Sequence, residues 1–393
     1  MNIPLWHYKR FWTGTALLLL LALMLAACSG NSNNGTSGTT PAARGTTPTA
    51  TPGIGLGAQP CPDAVKTPAY WDPIVPTQNG VTKVESVTCG NLVGNPTLQA
   101  LVTVRYNGTG AILDVYVYTN ITNPKPTQLF KLQSLYDGDA RISIYNTVLT
   151  AEVDQHSSIN TGKDSASYTQ DLFREFKWSD GAGTLVPVSF PGMYPDLTRY
   201  QAEMGQAQVN QGKDAWKLDA AMVANHMAAD PHLLNWPGSV PTTVTSGGGP
   251  SDANAVVTVS NPAPGGGKIQ VTLQRLEGNT NGGIWEVIAV TSSGMSLTSP
   301  QSRDKLTTPV MVKGTGSAFE GVVGPVAVLD HLYTDIGHAT AQGTGNGNTT
   351  FSASVTYNST FKGGTQEGLV ILYAANNAGG PPSAAVILKV LIN

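Results

Sequence analysis

Charged residues are scarce in this chain. Of its 393 residues only 12% are Asp, Glu, Lys or Arg, and the formal net charge is -3. A nucleic-acid-binding protein needs a basic surface for the phosphates, and a segment that holds an anionic membrane needs clustered Lys and Arg. The composition argues against both functions. Because 40% of the residues are hydrophobic and fall in periodic runs, it also argues against disorder along the whole length.

Motifs that carry catalysis are missing as well. The sequence contains no His-Glu-x-x-His and no Gly-x-Ser-x-Gly. Residues 265–268, Gly-Gly-Gly-Lys, fail as a phosphate loop, since Pro262 stands where the first glycine is needed. His331, Asp335 and His338 would share one face of a helix, but we expect strand and loop there. The sequence predicts a non-enzyme with no catalytic residues, no cofactor and no metal site.

The chain also lacks an apolar run of the roughly 20 residues that a bilayer span requires. Its apolar segment, 11–25, follows Lys9 and Arg10 and leads into Leu-Ala-Ala-Cys at 25–28. This arrangement predicts a secretory signal peptide; the alternative is an uncleaved transmembrane anchor. The small residues before the cysteine resemble the signal of bacterial lipoproteins. The resemblance implies that Cys28 carries the lipid and that the protein is anchored outside the cytoplasm.

Cysteine is nearly absent, with three residues in all. If Cys28 carries lipid, Cys61 and Cys89 remain, and an oxidising compartment favours a disulfide between them. The alternative is a pair of reduced thiols. A catalytic cysteine is disfavoured, since no histidine lies near either residue in the sequence.

Composition and periodicity divide the chain into five regions. We predict a mainly β, multi-domain protein. Its parts are a signal peptide (1–27), a Ser/Thr/Gly/Pro-rich disordered tether (28–58), an antiparallel β domain (59–191), an α+β module (192–294) and an immunoglobulin-like β-sandwich (295–393).

In the first domain, period-two alternation predicts strands at 81–88, 98–106, 111–119, 127–134, 141–152, 174–178 and 184–190, with hairpin turns at 107–110 and 180–181. Residues 89–96 resemble the start of an FG-GAP propeller repeat. In that family, aspartates at the positions of Asn91 and Asn95 bind calcium; because both are asparagine here, we expect a tight turn. A turn is also expected at Asp137-Gly138-Asp139.

In the central module, Asp196 and Asp214 are predicted to cap two helices, the second of which ends at Asp230-Pro231. Strands are expected at 255–260, 268–276 and 283–291. The order of elements resembles cystatin-like modules in which helices pack on a curved sheet. Three tryptophans could line a ligand pocket or fill the core, and the core is the expected place for Trp216, Trp236 and Trp285.

About seven short strands in under 100 residues predict the C-terminal sandwich. Its landmarks resemble the immunoglobulin-like Gmad domain of bacterial spore-germination proteins; they are Ser299-Pro300, Pro309-Val310, Gly314, Phe319-Glu320-Gly321, Phe351 and Gly368-Leu369. The loop 376–382 departs from the family pattern. The resemblance implies a role in the cell envelope and supplies no active site. For Glu320, the acid of this signature, we expect contacts with the backbone or a local pair.

These observations predict a non-catalytic, lipid-anchored envelope protein. Its β modules would bind a protein or cell-wall partner, in connection with sporulation or germination, and would not bind nucleic acid. The alternative is a carbohydrate- or peptidoglycan-binding module or a glycoside hydrolase that uses exposed aromatics such as Tyr70, Trp71 and Trp178. That alternative requires these rings to line one open groove beside acids.

Overall fold

The computed structural model describes residues 57–278, 282–374 and 380–393. Within these ranges the chain is mostly β, with several antiparallel sheets and few helices, which confirms the predicted fold class. The predicted signal peptide, Cys28 and nearly all of the tether lie outside the described residues. None of the helices in the described ranges combines the length and apolar character needed to cross a bilayer.

The N-terminal domain is built from two four-stranded sheets. The first has the order β1-β2-β3-β4, with β1 at Thr82–Gly90, β2 at Gln99–Tyr106, β3 at Leu113–Thr119 and β4 at Thr127–Leu135. The second has the order β5-β6-β7-β8, with β5 at Asp139–Ile142, β6 at Val148–Glu152, β7 at Leu172–Ser179 and β8 at Thr184–Val188. The predicted strands and both predicted hairpins are present, with one difference.

The difference lies at 141–152, where one strand was predicted and the structure has a hairpin of two strands, β5 and β6. Strands β5 and β6 are joined by a turn in which the hydroxyls of Ser143 and Thr147 lie 2.6 Å apart. Asn146 has a φ of 59°, a left-handed conformation that asparagine adopts more readily than most residues. The single-strand prediction was wrong because it ran the apolar alternation through this turn.

Strand β2 separates two hydrophobic cores because alternate side chains leave a strand on opposite faces. On one face, Val102 and Val104 pack in a core with Trp71, which lies in the short helix α1 (Pro68–Trp71). On the other face, Leu101 joins the core between the two sheets. Trp71 is fully buried, and its indole N–H donates to the Val65 carbonyl at 2.7 Å.

Two longer helices follow the N-terminal domain, and both start at different caps from those predicted. Helix α2 (Arg199–Asn210) is capped by Thr198, whose hydroxyl accepts from the Gln201 N–H. Helix α3 (Ala220–Ala229) is capped by Asp219, which accepts from two backbone N–H groups of its first turn. The end predicted at Asp230-Pro231 is confirmed, with Asp230 as the C-cap residue.

Tertiary contacts explain the wrong cap assignments. The Asp196 carboxylate, 2.8 Å from the Lys217 ammonium, takes part in a buried ion pair. Asp214 has a φ of 49° and precedes a 3-10 turn at Ala215–Leu218, without accepting a capping hydrogen bond. Both aspartates have side chains that can cap a helix. However, Asp196 pairs with Lys217 instead, and Asp214 precedes a separate 3-10 turn.

The central module and the C-terminal sandwich share one sheet. Strands β9 (Thr242–Gly247), β10 (Asn254–Ser260), β11 (Lys268–Gln274) and β12 (Glu286–Ser292) form one half of it. The sheet continues from β12 into β20 (Ala385–Ile392) through the pair Val290 and Ile387. One hydrophobic core therefore crosses the boundary predicted at 294/295.

The three tryptophans of the central module lie in this core or pack against it. Trp236 and Trp285 are buried in it, and Trp216 packs against it while partly exposed. The expectation that they fill the core is confirmed. The indole N–H of Trp236 donates to the Pro382 carbonyl, which adds a polar contact between the helical module and the C-terminal segment.

The described residues of the C-terminal part form eight strands, two of them very short. They are β13 (Ser296–Ser299), β14 (Lys305–Leu306), β15 (Val310–Ala318), β16 (Val322–Leu329), β17 (Asp335–Gln342), β18 (Gly347–Val355), β19 (Gln366–Tyr373) and β20. The sheet β13-β15-β18 faces the sheet that contains β16, β19 and β20. Side chains from both, including Val312, Phe351 and Val370, form the core between them, as in a β-sandwich.

Candidate functional site

A groove of about 580 Å³ lies where the central module meets the sandwich. The turn after β12, the end of β15 and the start of β20 form its walls. Its lining combines Met295 and Phe319 with smaller apolar side chains and with serine hydroxyls, among them Ala318, Val323, Ala384, Ser293 and Ser383. Lys268 is the one ionisable side chain among the described lining residues. This surface can bind a ligand but offers no pair of groups for acid–base catalysis.

The tip of a hairpin stands at the rim of this groove. Strands β15 and β16 are joined through Phe319, which pairs with Val322 across a turn made by Glu320 and Gly321. The φ angles of Glu320 and Gly321 are 51° and 81°, as in a type I′ turn. The Phe319 side chain is 55% exposed, although it lines the groove.

Glu320 differs from its predicted role. We expected its side chain to bond the backbone or to pair locally, but within the described residues its carboxylate is exposed and makes neither contact. It is the backbone of this residue that is held, because its N–H donates to the Asn346 side-chain oxygen at 2.6 Å.

The predicted disulfide between Cys61 and Cys89 is present. It fixes the start of the described chain to β1, next to a backbone hydrogen bond from Gln59 to the Cys89 carbonyl at 2.7 Å. Cys89 is fully buried. Cys28 lies outside the described residues, so its lipidation stays a prediction.

The asparagines of the calcium-like motif form a tight turn, as expected. The Asn91 amide donates to the carbonyls of Asn95 and Thr97, while its oxygen accepts from Gln59. The second expected turn is also present, since Asp137 has a φ of 45° and Asp139 begins β5.

The fold places His331 and His338 in different environments, one buried and one exposed. His331 is buried between Gln366 and Asp171, and its Nε2 lies 3.5 Å from the Asp171 carboxylate. Burial opposes the charged imidazole, but contacts with these residues and with Asp330 raise the pKa of His331. His338 is exposed on β17, beside Asp335. No group of three or more His, Cys, Asp or Glu side chains in 57–278, 282–374 and 380–393 could hold a metal ion.

The three aromatic residues on which the carbohydrate alternative depends, Tyr70, Trp71 and Trp178, do not line one groove. Trp71 is fully buried, and Tyr70 is partly buried with its hydroxyl donating to the Ile121 carbonyl. Trp178 is partly exposed and donates to Asp180. The condition stated for that alternative, three rings along one open surface, is not met.

The sequence did not indicate where the fold buries its charges. They lie between the β5–β8 sheet and the elements that follow it. Lys389 is fully buried, with its ammonium 3.4 Å from the Glu367 carboxylate and donating to the Leu197 carbonyl. Glu367 also accepts from the Ser189 hydroxyl and the Phe190 N–H. Burial raises the pKa of Glu367 to about 7 and lowers the pKa of Lys389 to about 8.

A second buried cluster places one arginine between two glutamates. The Arg199 guanidinium lies 2.9 Å from Glu175 and 2.9 Å from Glu277. Burial, with the nearby carboxylates of Glu203 and Glu175, raises the pKa of Glu277 to about 8 against the attraction of Arg199. One positive charge shared by two buried acids favours the protonated form of one of them.

This cluster predicts that stability falls as the pH rises from 6 to 8. Because the pKa of Glu277 is raised on folding, the folded protein keeps a proton that the unfolded chain loses, so stability declines until the pH passes the folded pKa. The slope for one group is about 1.4 kcal/mol per pH unit, or about 2–3 kcal/mol over this range. Denaturant unfolding at pH 6 and pH 8 measures it.

Glu277→Gln is expected to make this dependence less steep, because glutamine resembles the neutral acid and does not titrate. The slope that remains includes the contribution of Glu367, whose pKa burial raises to about 7. Glu85→Gln serves as the control, since Glu85 forms an ion pair with Arg105 at 2.8 Å in a more exposed position. Equal pH slopes for the wild type and Glu277→Gln would show that Glu277 is already ionised in the folded protein.

No family model matches this chain, and no curated protein matches it either. The buried ionic clusters lie in the interior, whereas the groove and the hairpin tip are open to solvent and to a partner.

Proposed function

We propose that this protein is a non-catalytic, lipid-anchored protein of the cell envelope that presents the groove and the hairpin tip to a binding partner. The observation that carries the proposal is the contrast between the groove and the buried clusters. The groove has Lys268 as its one ionisable lining residue among those described, while the ion pairs at Lys389 and Arg199 lie in the interior. An accessible surface without paired acids or bases suits binding.

Two features support an extracytoplasmic location. The lipoprotein-like sequence at 25–28 follows a basic and apolar leader. The disulfide between Cys61 and Cys89 suits an oxidising compartment. Lipid on Cys28 would tether the protein, and the segment that follows, in which Arg44 is the one charged residue up to position 58, would let the folded part stand away from the membrane surface.

The link to sporulation or germination is part of the same proposal. It is supported by the resemblance of the C-terminal landmarks to the Gmad domain, and the sandwich places Phe319-Glu320-Gly321 at an exposed tip. The aromatic rings that the carbohydrate or hydrolase alternative requires do not line one groove, which argues against that alternative.

Lipid labelling tests the anchor. Cells that express the full chain are fed a fatty-acid analogue with a clickable end group and are then fractionated. We expect the wild type to be labelled and to sediment with membranes. Cys28→Ser is expected to lose the label and to leave the membrane fraction.

Cys61→Ala is the matched control, because it removes a different cysteine and should keep the label. An unlabelled wild type, or a Cys28→Ser variant labelled as strongly as the wild type, would contradict the proposed anchor.

A further inference from the structure

We propose that the tip formed by Phe319 and Glu320 is a protein-docking element, which places its ring in an apolar pocket of a basic partner and pairs its carboxylate with a Lys or Arg beside that pocket. This inference rests on the proposed binding function and specifies its surface and partner chemistry.

Phe319 is poorly placed for folding. Its side chain is 55% exposed, while its neighbours Ala318 and Val323 are 5% and 2% exposed and belong to the sandwich core. An exposed aromatic ring gives little of the stabilisation that a buried ring provides. Its position at the rim of a groove is that of a binding anchor, since aromatic residues dominate the energy of protein interfaces.

Glu320 is also a poor choice for its backbone position. A residue with a φ of 51° in the first central position of a type I′ turn is usually Asn, Asp or Gly. Glutamate is less favourable there because it has the Cβ–carbonyl crowding of any non-glycine residue in the left-handed region, without the local hydrogen bond that the shorter side chain of Asn or Asp can make. Its carboxylate gains no hydrogen bond or ion pair within the described residues, so folding alone does not account for this side chain.

The tip is held rigidly by the neighbouring loop. The N–H of Glu320 donates to Asn346, the N–H of Gly321 donates to the Gly345 carbonyl, and the N–H of Gly343 donates to the Gly321 carbonyl. These hydrogen bonds fix the backbone that carries the two adjacent side chains before any partner arrives. A preorganised anchor loses less conformational freedom on binding.

The charge around the tip indicates a basic partner. Glu320 is the one charged residue in 314–325, and the facing segment 339–353 contains none. The tip therefore presents a single negative charge along these two segments, and Lys268, the one ionisable residue among the described lining of the adjoining groove, forms no ion pair with it. An exposed carboxylate without a cationic partner favours a cationic group on the binding partner and disfavours an anionic membrane surface.

A displayed library of random 12-residue peptides tests the proposal on the full chain purified in detergent. Peptides selected on the wild type are expected to share an aromatic or aliphatic residue next to Lys or Arg. Phe319→Ala should weaken a selected peptide by about tenfold or more, as for an interface anchor. Glu320→Lys should instead select peptides in which Asp or Glu replaces the basic residue.

Met311→Ala is the matched control, because Met311 is an exposed apolar residue of β15, 45% exposed, away from the tip. It should bind selected peptides as the wild type does. Glu320→Gly should weaken binding without lowering the thermal unfolding midpoint, since glycine suits the turn. A merely structural glutamate would lower that midpoint.

Three results would overturn the proposal. The first is equal peptide binding by the wild type and Phe319→Ala, and the second is a set of selected peptides without a basic residue. The third is Phe319-dependent binding to phosphatidylcholine vesicles in place of peptides, which would make the tip a membrane contact. None of these results changes the lipid label at Cys28, so the proposed anchor is tested independently.

Discussion

Replacing Lys389 with methionine is expected to lower the free energy of unfolding by about 3–5 kcal/mol. Lys389 is fully buried, and its ammonium is the described cation nearest the Glu367 carboxylate, at 3.4 Å. Methionine fills the space of the aliphatic stem but leaves that carboxylate buried without a cation. It also removes the donor to the Leu197 carbonyl. Removing one partner of a buried pair costs more than the pair itself contributes.

The double variant Lys389→Met/Glu367→Gln separates the two causes. Glutamine carries no charge and keeps a carbonyl oxygen for the Phe190 N–H. Its NH2 group replaces the oxygen that accepts from Ser189, whose hydroxyl can turn to accept from that NH2 group. We expect the double variant to recover a substantial part of the lost stability in guanidinium unfolding. A single variant within about 1 kcal/mol of the wild type would mean that Glu367 becomes protonated at little cost.

Periodicity predicted most of the β structure because each strand buries alternate residues. The predicted strand at 98–106 corresponds to β2, where Leu101 faces one core and Val102 faces the other. Such a pattern is local, so it can be read without the fold. The hairpin turn at 143–147 was missed because its own residues continue an apolar alternation; Asn146 was the available signal, since asparagine tolerates a positive φ.

The helix caps and buried charges could not be predicted in the same way. Asp196 and Thr198 are both good capping residues, and the choice between them is made by Lys217, which binds Asp196 through the tertiary structure. The partners Lys389 and Leu197 are 192 residues apart in the sequence. No local pattern relates them, because the fold alone brings their elements together.

The candidate site was partly predictable. The segment Phe319-Glu320-Gly321 was identified in the sequence as a family landmark, but its exposure and its left-handed turn were not. The available signal was glutamate before glycine in a hairpin, where asparagine is more usual. The groove could not be foreseen, since Lys268, Ser293 and Ser383 come from separate strands and loops.

Removing the disulfide is expected to lower the free energy of unfolding by about 3–4 kcal/mol in the chain-entropy description. The bond links residues 28 positions apart and restricts the unfolded chain over that length. In the folded protein it holds the segment before α1 against β1, beside the core that contains Trp71. The variant Cys61→Ala/Cys89→Ala, compared with the wild type in guanidinium with and without reductant, measures the effect.

The reductant separates cross-linking from packing. Cys89 is fully buried, so alanine there also removes a buried sulfur atom, whereas reduction leaves both sulfur atoms in place. We expect the reduced wild type to lie close to the double variant, with the remaining difference due to packing at Cys89. If oxidised and reduced wild type unfold at the same guanidinium concentration, the bond does not stabilise the fold. In that case the segment before α1 is held by the Trp71 core and its hydrogen bonds alone.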